Sequence, residues 1–146
     1  MIPEAELIKN EMVLRNMALT DDVKLTRKSL LRWIALSLGL ISPNESRTIV
    51  IDVLDVLLRE FANGRKPSTK GIYEKVSKKR KDSVSEKTVY YHLQRLANLG
   101  LIQRERGQYF ISKEKEGLKN SIRKIYEKEF DEAFGNIDRA LDALEK

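Results

Sequence analysis

Between Ser85 and Ser112 the chain reads SEKTVYYHLQRLANLGLIQRERGQYFIS, and few folds accommodate that order of signals. Val89, Leu93 and Leu96 are spaced for one face of a helix, with His92 beside them as a core histidine. Ser85 is placed to cap that helix, since its hydroxyl can accept from a first-turn N–H. Asn98-Leu99-Gly100 stops it, glycine being the residue that takes a left-handed conformation at little cost. Two short alternating runs then flank Arg106-Gly107, the pattern of strands joined by a two-residue turn. A helix over 86–99 followed at once by a hairpin over 101–112 is therefore expected.

The segments before it prepare the same unit. Ser42-Pro43-Asn44-Glu45 carries start signals: the Ser hydroxyl can accept from Glu45 N–H, Pro suits the first helical position, and Glu can reach back. A helix over 45–62 should carry Ile49, Val53, Val56, Leu57 and Phe61 and end at Asn63-Gly64. After the basic turn Arg65-Lys66-Pro67-Ser68, Thr69 should cap a short helix over 69–79 bearing Ile72, Tyr73 and Val76. Further upstream, Leu7, Ile8, Met12, Leu14 and Met17 predict a helix over 4–18. A second helix follows over 24–41, capped by Thr20 or Asp21 and containing Trp33 as a core residue.

Downstream, a long helix is expected over about 113–145, with Gly135 inside it at a cost of ~1 kcal/mol relative to Ala. Tyr126, Phe130, Ala133, Ile137, Ala140 and Leu144 repeat at 4, 3, 4, 3 and 4 residues, the spacing of a coiled-coil seam. Leu118, Ile122 and Ile125 extend its apolar face. The expected fold class is mainly α with a small β-hairpin. An N-terminal helical extension (1–43), a central domain (44–112) and a C-terminal dimerisation helix (113–146) make up the chain.

The net charge of +6 is unevenly distributed. Residues 64–108 hold twelve Lys/Arg against four Asp/Glu, so the whole excess lies in that segment. A concentrated basic stretch in an otherwise balanced chain points to a polyanionic partner. The run Lys78-Lys79-Arg80-Lys81 reads either as a solvated loop or as a phosphate-binding patch, and its place just before the 86–99 helix favours the patch. On that helix Lys87, Tyr90, Tyr91, Gln94, Arg95 and Asn98 fall opposite the apolar face. These side chains supply donors, acceptors and aromatic surface for base edges and thymine methyls. Of Tyr90 and Tyr91, one is expected to face solvent or nucleic acid and the other to be half-buried.

Other functions lack their residues. The absence of Cys removes disulfides, thiolate catalysis and Cys-based zinc sites, and a single His cannot build an imidazole-rich metal site. No cofactor or metal is expected. No Gly-rich phosphate loop or paired nucleophile and base is present, and Asp52 and Asp55 read as a solvated helix face rather than an acid–base pair. An enzyme is not expected. The longest apolar run, Trp33–Ile41, is half the ~20 residues of a membrane span. MIPEAELIKNE lacks the basic start and apolar run of a signal peptide. The expectation is a soluble, cytoplasmic protein without a membrane partner, and its Lys/Glu-rich composition is of the kind found in thermophiles.

The motif Ser85-x-x-Thr88-Val89-Tyr90-x-His92-Leu93-x-x-Leu96-x-x-x-Gly100-Leu101-Ile102, followed by Tyr109-x-Ile111-Ser112 and Gly117-Leu118, resembles the winged helix-turn-helix transcription regulators of the broad MarR-, ArsR- and PadR-like group. The resemblance covers about residues 44–118. It implies a double-stranded-DNA-binding regulator, with the 86–99 helix in the major groove and the hairpin as a wing. Carried over by position, it implicates Ser85, Lys87, Thr88, Tyr90, Tyr91, Gln94 and Arg95 on the helix, and Arg104 and Arg106 on the wing. The hairpin is shorter than many wings, and the Cys/His sets of metal-sensing ArsR-like members are missing. A homodimer through the C-terminal seam is expected. The alternatives are a winged-helix protein-interaction or RNA-binding module, or a non-specific chromatin-associated protein. Whether the N-terminal helices join the dimer interface or help form an effector pocket stays open.

Overall fold

A computed structural model of the chain describes residues 1–46, 48–111 and 117–146. The chain is mainly helical, with one antiparallel two-stranded hairpin and a long C-terminal helix. It divides into two compact units, Met1–Asp55 and Val56–Lys146.

In the first unit a single 3-10 turn covers Pro3–Leu7, followed by α1 (Asp21–Lys24) and α2 (Arg27–Ser37). The helix expected over 4–18 is absent, and Arg15 and Ala18 of this segment hydrogen-bond to α2 and the turn after it instead. Arg15 N–H donates to the Ser37 carbonyl (2.8 Å) and Ser37 Oγ donates to the Arg15 carbonyl (2.9 Å). The Arg15 guanidinium donates to the carbonyls of Leu36 (2.6 Å) and Ile41 (3.2 Å). The last carbonyls of a helix lack intrahelical donors and carry its negative dipole end, so a cation there is favourable. Trp33 Nε1 donates to the Ala18 carbonyl (2.9 Å), which fastens the same segment higher up.

The helix expected over 24–41 is shorter than its apolar pattern. Thr26 caps α2 through Ser29 N–H (3.1 Å), and Leu38 and Gly39 turn the chain, Gly39 with φ 72°. A Cβ at Gly39 would collide with the Val13 side chain. Ser42–Glu45 does not open the next helix. Glu45 N–H donates to the Ser42 carbonyl (3.1 Å) and the Glu45 carboxylate accepts from Ser42 N–H (3.4 Å), closing an isolated exposed turn. The reach-back of Glu45 occurs as expected, while α3 (Ile49–Ala62) starts at Thr48, whose carbonyl accepts from Ile51 and Asp52 N–H.

Val50, Ile51, Val53 and Leu54 are buried with Leu31, Ala35 and Leu40 in the first unit. Asp55 is buried too, which overturns the expectation of a solvated carboxylate face. Its carboxylate accepts from Arg27 Nε at 2.5 Å.

The second unit follows the predicted order closely: α4 (Thr69–Lys79), α5 (Glu86–Asn98), β1 (Gln103–Glu105), β2 (Gln108–Phe110) and α6 (Gly117–Leu144). Gly64 (φ 70°) ends α3, with Arg65 N–H donating back to the Glu60 carbonyl at 2.9 Å. Ser68, not Thr69, caps α4 by accepting from Gly71 N–H (3.1 Å). Ile72 and Val76 of α4 and Val89, Leu93 and Leu96 of α5 are all fully or nearly fully buried. Their 4- and 3-residue spacing gives each helix one apolar stripe, and each Leu or Ile removed from water contributes about 1.5–3 kcal/mol.

β1 pairs with β2 in the register Gln103↔Phe110, Arg104↔Tyr109 and Glu105↔Gln108. Arg106 (φ 55°) and Gly107 (φ 78°) form the turn, and two positive φ values in succession match the twist of a tight hairpin. The linker between α3 and α4 joins this sheet: Ser68 forms an antiparallel bridge to Gln108, and Tyr109 N–H donates to the Pro67 carbonyl at 2.8 Å. Ser112, at the end of the expected hairpin, and residues 113–116 of the expected C-terminal helix lie outside the described residues.

Candidate nucleic-acid interface

The N-terminus of α5 is built by Ser85. Its Oγ accepts from Thr88 N–H (3.1 Å) and lies 2.9 Å from Thr88 Oγ1. Gly100 (φ 82°) closes the other end, where Leu101 N–H donates to the Leu96 carbonyl (3.1 Å) and Gly100 N–H to that of Ala97 (2.9 Å). Capped at both ends and buried along one stripe, α5 presents the opposite stripe outward. Lys87, Tyr90, Tyr91, Gln94 and Asn98 are all exposed at i, i+3, i+4, i+7 and i+11.

Both tyrosines are exposed, Tyr90 by 39% and Tyr91 by 61%, so the expectation that one is half-buried is corrected. The ring of His92 meets Tyr91 edge-on at 5.2 Å between centroids, and His92 is half-buried rather than the core histidine expected. Ser85 is exposed, whereas Thr88 and Arg95 are half-buried and show less of themselves than the outer stripe.

Arg104 brings the hairpin beside this face. The guanidinium carbon of Arg104 lies over the Tyr90 ring at 5.6 Å and over the Tyr109 ring at 5.5 Å. Arg106 is exposed at the turn. Lys66, which sequence reasoning did not single out, lies over the Phe110 ring with Nζ 5.3 Å from its centroid. Its signal was there in the basic turn before Ser68, but only the pairing of that turn with β2 connects it to the hairpin. Asn98, four residues after Gln94, continues the exposed stripe by one more turn.

Some cations of the basic segment are engaged by carboxylates of their own chain. Glu60 is buried, and its carboxylate takes Arg65 Nε at 2.5 Å and Lys75 Nζ on its other oxygen. Arg80 ends α4 with its side chain only 14% exposed and donates twice to Asp82, at 2.8 and 2.9 Å. That bidentate hydrogen bond holds the Asp82 carboxyl below the usual carboxylate range. Of the run Lys78–Lys81, Lys78, Lys79 and Lys81 are exposed and Arg80 is engaged by its neighbour.

The residues expected at a dimer interface divide. Tyr126 is 7% exposed in its own chain, and its burial pushes the phenol up from its ordinary value. It meets Phe130 edge-on at 5.7 Å. Upstream, Leu118, Ile122 and Ile125 are half-buried, and Ile125 lies where a Cβ on Gly100 would meet it at 3.1 Å. From Phe130 on, the helix is exposed on all sides apart from half-buried Gly135. Phe130, Phe134, Ile137, Leu141 and Leu144 form an apolar stripe spaced 4, 3, 4 and 3 residues, flanked by Ala133 and Ala140.

Among the described residues no group of three or more His, Cys, Asp or Glu is placed to hold a metal ion, and no helix is long and apolar enough to cross a membrane. Comparison of the chain with protein-family models, curated proteins and solved structures finds no match in any of the three.

Proposed function

We propose that the chain is a winged helix-turn-helix regulator that binds double-stranded DNA as a homodimer, laying α5 in the major groove with the β1–β2 hairpin as its wing. The observation that carries this is the exposed Lys87–Tyr90–Tyr91–Gln94–Asn98 stripe, on a helix whose other face is buried, with Arg104 of the hairpin stacked against it. Gln94 and Asn98 offer amide donors and acceptors to base edges, the tyrosines offer surface to sugars or thymine methyls, and Lys87 lies near the helix N-terminus where phosphate is favoured. The bridge from Ser68 to the hairpin supports the winged arrangement, since it binds the α3–α4 linker, α4 and the hairpin into one unit.

The apolar stripe from Phe130 to Leu144 supports pairing of two copies through α6, with Ala133 and Ala140 permitting close approach. Two α5 helices related by a two-fold axis would meet half-sites about one helical turn, ~34 Å, apart.

Fluorescence anisotropy with genomic DNA fragments at two salt concentrations tests the proposal. Binding should weaken steeply as salt rises, because phosphate contacts release counterions. No binding even at low salt would sink it. The wide exposure of Tyr91 favours a second reading, stacking on unpaired bases. Competition between duplex DNA, duplex RNA and single strands separates the two.

A further inference from the structure

Arg104 lies over two rings of very different standing. Tyr109 is fully buried, paired with Arg104 across the hairpin, and tied by its hydroxyl to Thr69 (3.0 Å). Tyr90 is exposed, in the middle of the outer stripe of α5, three residues after Lys87 and four before Gln94. One guanidinium thus lies within cation–π reach of both a solvent-facing ring on the helix and a buried ring in the hairpin. A guanidinium is planar, weakly hydrated and suited to stacking on aromatic faces, whereas an ammonium is a compact, strongly hydrated point charge.

We propose, resting on the DNA-binding reading above, that Arg104 is a positioning residue: by stacking on Tyr90 it sets that ring's orientation before DNA arrives, and so contributes to sequence discrimination rather than to phosphate affinity. The tip residue Arg106, exposed and two positions further on, is left as the hairpin's phosphate contact. A side chain whose rotamers are already fixed loses less freedom on binding, which is how preorganisation raises affinity for the correct target. Holding Tyr90 in this way costs nothing on DNA that the ring does not read, so the effect belongs to specific complexes alone.

The test compares full-length wild type with Arg104→Lys, Tyr90→Leu, their double variant and Arg106→Gln. The probes are a duplex selected by wild type from a random DNA pool and a scrambled duplex of equal length. Arg104→Lys should bind the selected duplex about three- to tenfold more weakly, the size expected for one or two cation–π contacts. Its affinity for the scrambled duplex and the slope of affinity against salt should stay at wild-type values. Arg106→Gln should weaken both duplexes alike and reduce the salt slope by about one. The double variant should be no weaker than the worse single variant, because both remove the same stack.

Wild-type discrimination by Arg104→Lys, or additive losses in the double variant, would overturn the proposal and leave the DNA-binding reading standing. Failure of wild type to select any duplex would overturn both. Should Arg104→Lys melt early, Tyr90→Leu carries the same question from the exposed ring: a ¹⁵N-edited spectrum of the free protein must then show the Arg104 Nε–H signal moved from its ring-shifted position, and an unmoved signal rules the stack out.

Discussion

The hydroxyl of Tyr109 lies 3.0 Å from that of Thr69, joining the second strand of the hairpin to the first turn of α4. With the Tyr109 N–H bond to Pro67, it anchors a two-stranded sheet that would be marginal alone in water. Tyr109→Phe keeps the ring beneath Arg104 and removes only the hydroxyl bond. Urea denaturation should show a loss of about 1 kcal/mol, the usual net worth of one hydrogen bond. On the proposed DNA-binding reading, discrimination should be retained, since the ring near Arg104 is unchanged.

Gly100 is constrained twice, by its left-handed φ of 82° and by Ile125 Cδ1, which a Cβ would approach to 3.1 Å. Gly100→Ala should therefore destabilise the fold by about 1–2 kcal/mol, with part of the cost in the backbone and part in displacing Ile125. Thermal unfolding reads this directly. Gly107→Ala, also left-handed but with open space around it, should cost less.

Ile137 and Leu141 are about half exposed on the single chain, so a charge there breaks no contact within it. Ile137→Asp and Leu141→Asp should leave the unfolding free energy of the dilute chain within about 0.5 kcal/mol of wild type. With two copies paired through α6 as proposed, sedimentation should show loss of the dimer, and affinity for a two-half-site duplex should fall towards that for a single half-site. A dimer that survives both substitutions would remove α6 from the interface.

The raised pKa of Tyr126 fixes the sign of one pH effect. Its folded form holds the phenolic proton to higher pH than the unfolded chain, whose value is near the ordinary 10.0. Its contribution is therefore intact below pH 10 and is lost as pH rises from there through the raised folded value. Ultraviolet titration should show a tyrosine ionising above the ordinary value, and Tyr126→Phe should remove that late step and flatten the decline of stability above pH 10.

The second unit was legible because its signals are local. Ser85, Gly64, Gly100 and Arg106-Gly107 act on their own backbone, and the stripes of α4 and α5 bury what their spacing says they bury. The first unit was misread where distant groups decide. Leu7, Ile8, Met12, Leu14 and Met17 have helical spacing, yet Arg15 donates to the carbonyls of Leu36 and Ile41 at and just beyond the far end of α2, and residues 8–20 form no helix. Nothing near Asp55 in the sequence announces Arg27, twenty-eight residues away. At the candidate site the exposed stripe was readable from periodicity. The stacking of Arg104 was not, because it depends on the register that sets Arg104 opposite Tyr109 and on how the hairpin leans on α5.

Arg106 is the one non-glycine residue with positive φ among those described. A left-handed conformation costs an ordinary side chain about 1–2 kcal/mol, and glycine would relieve it. Arg106→Gly should accordingly make the protein harder to unfold in urea and, on the proposed DNA-binding reading, weaken its affinity for duplex DNA in anisotropy titrations. On that reading the hairpin tip is a place where ease of folding and usefulness pull in opposite directions, and selection for thermal robustness alone would favour glycine at position 106.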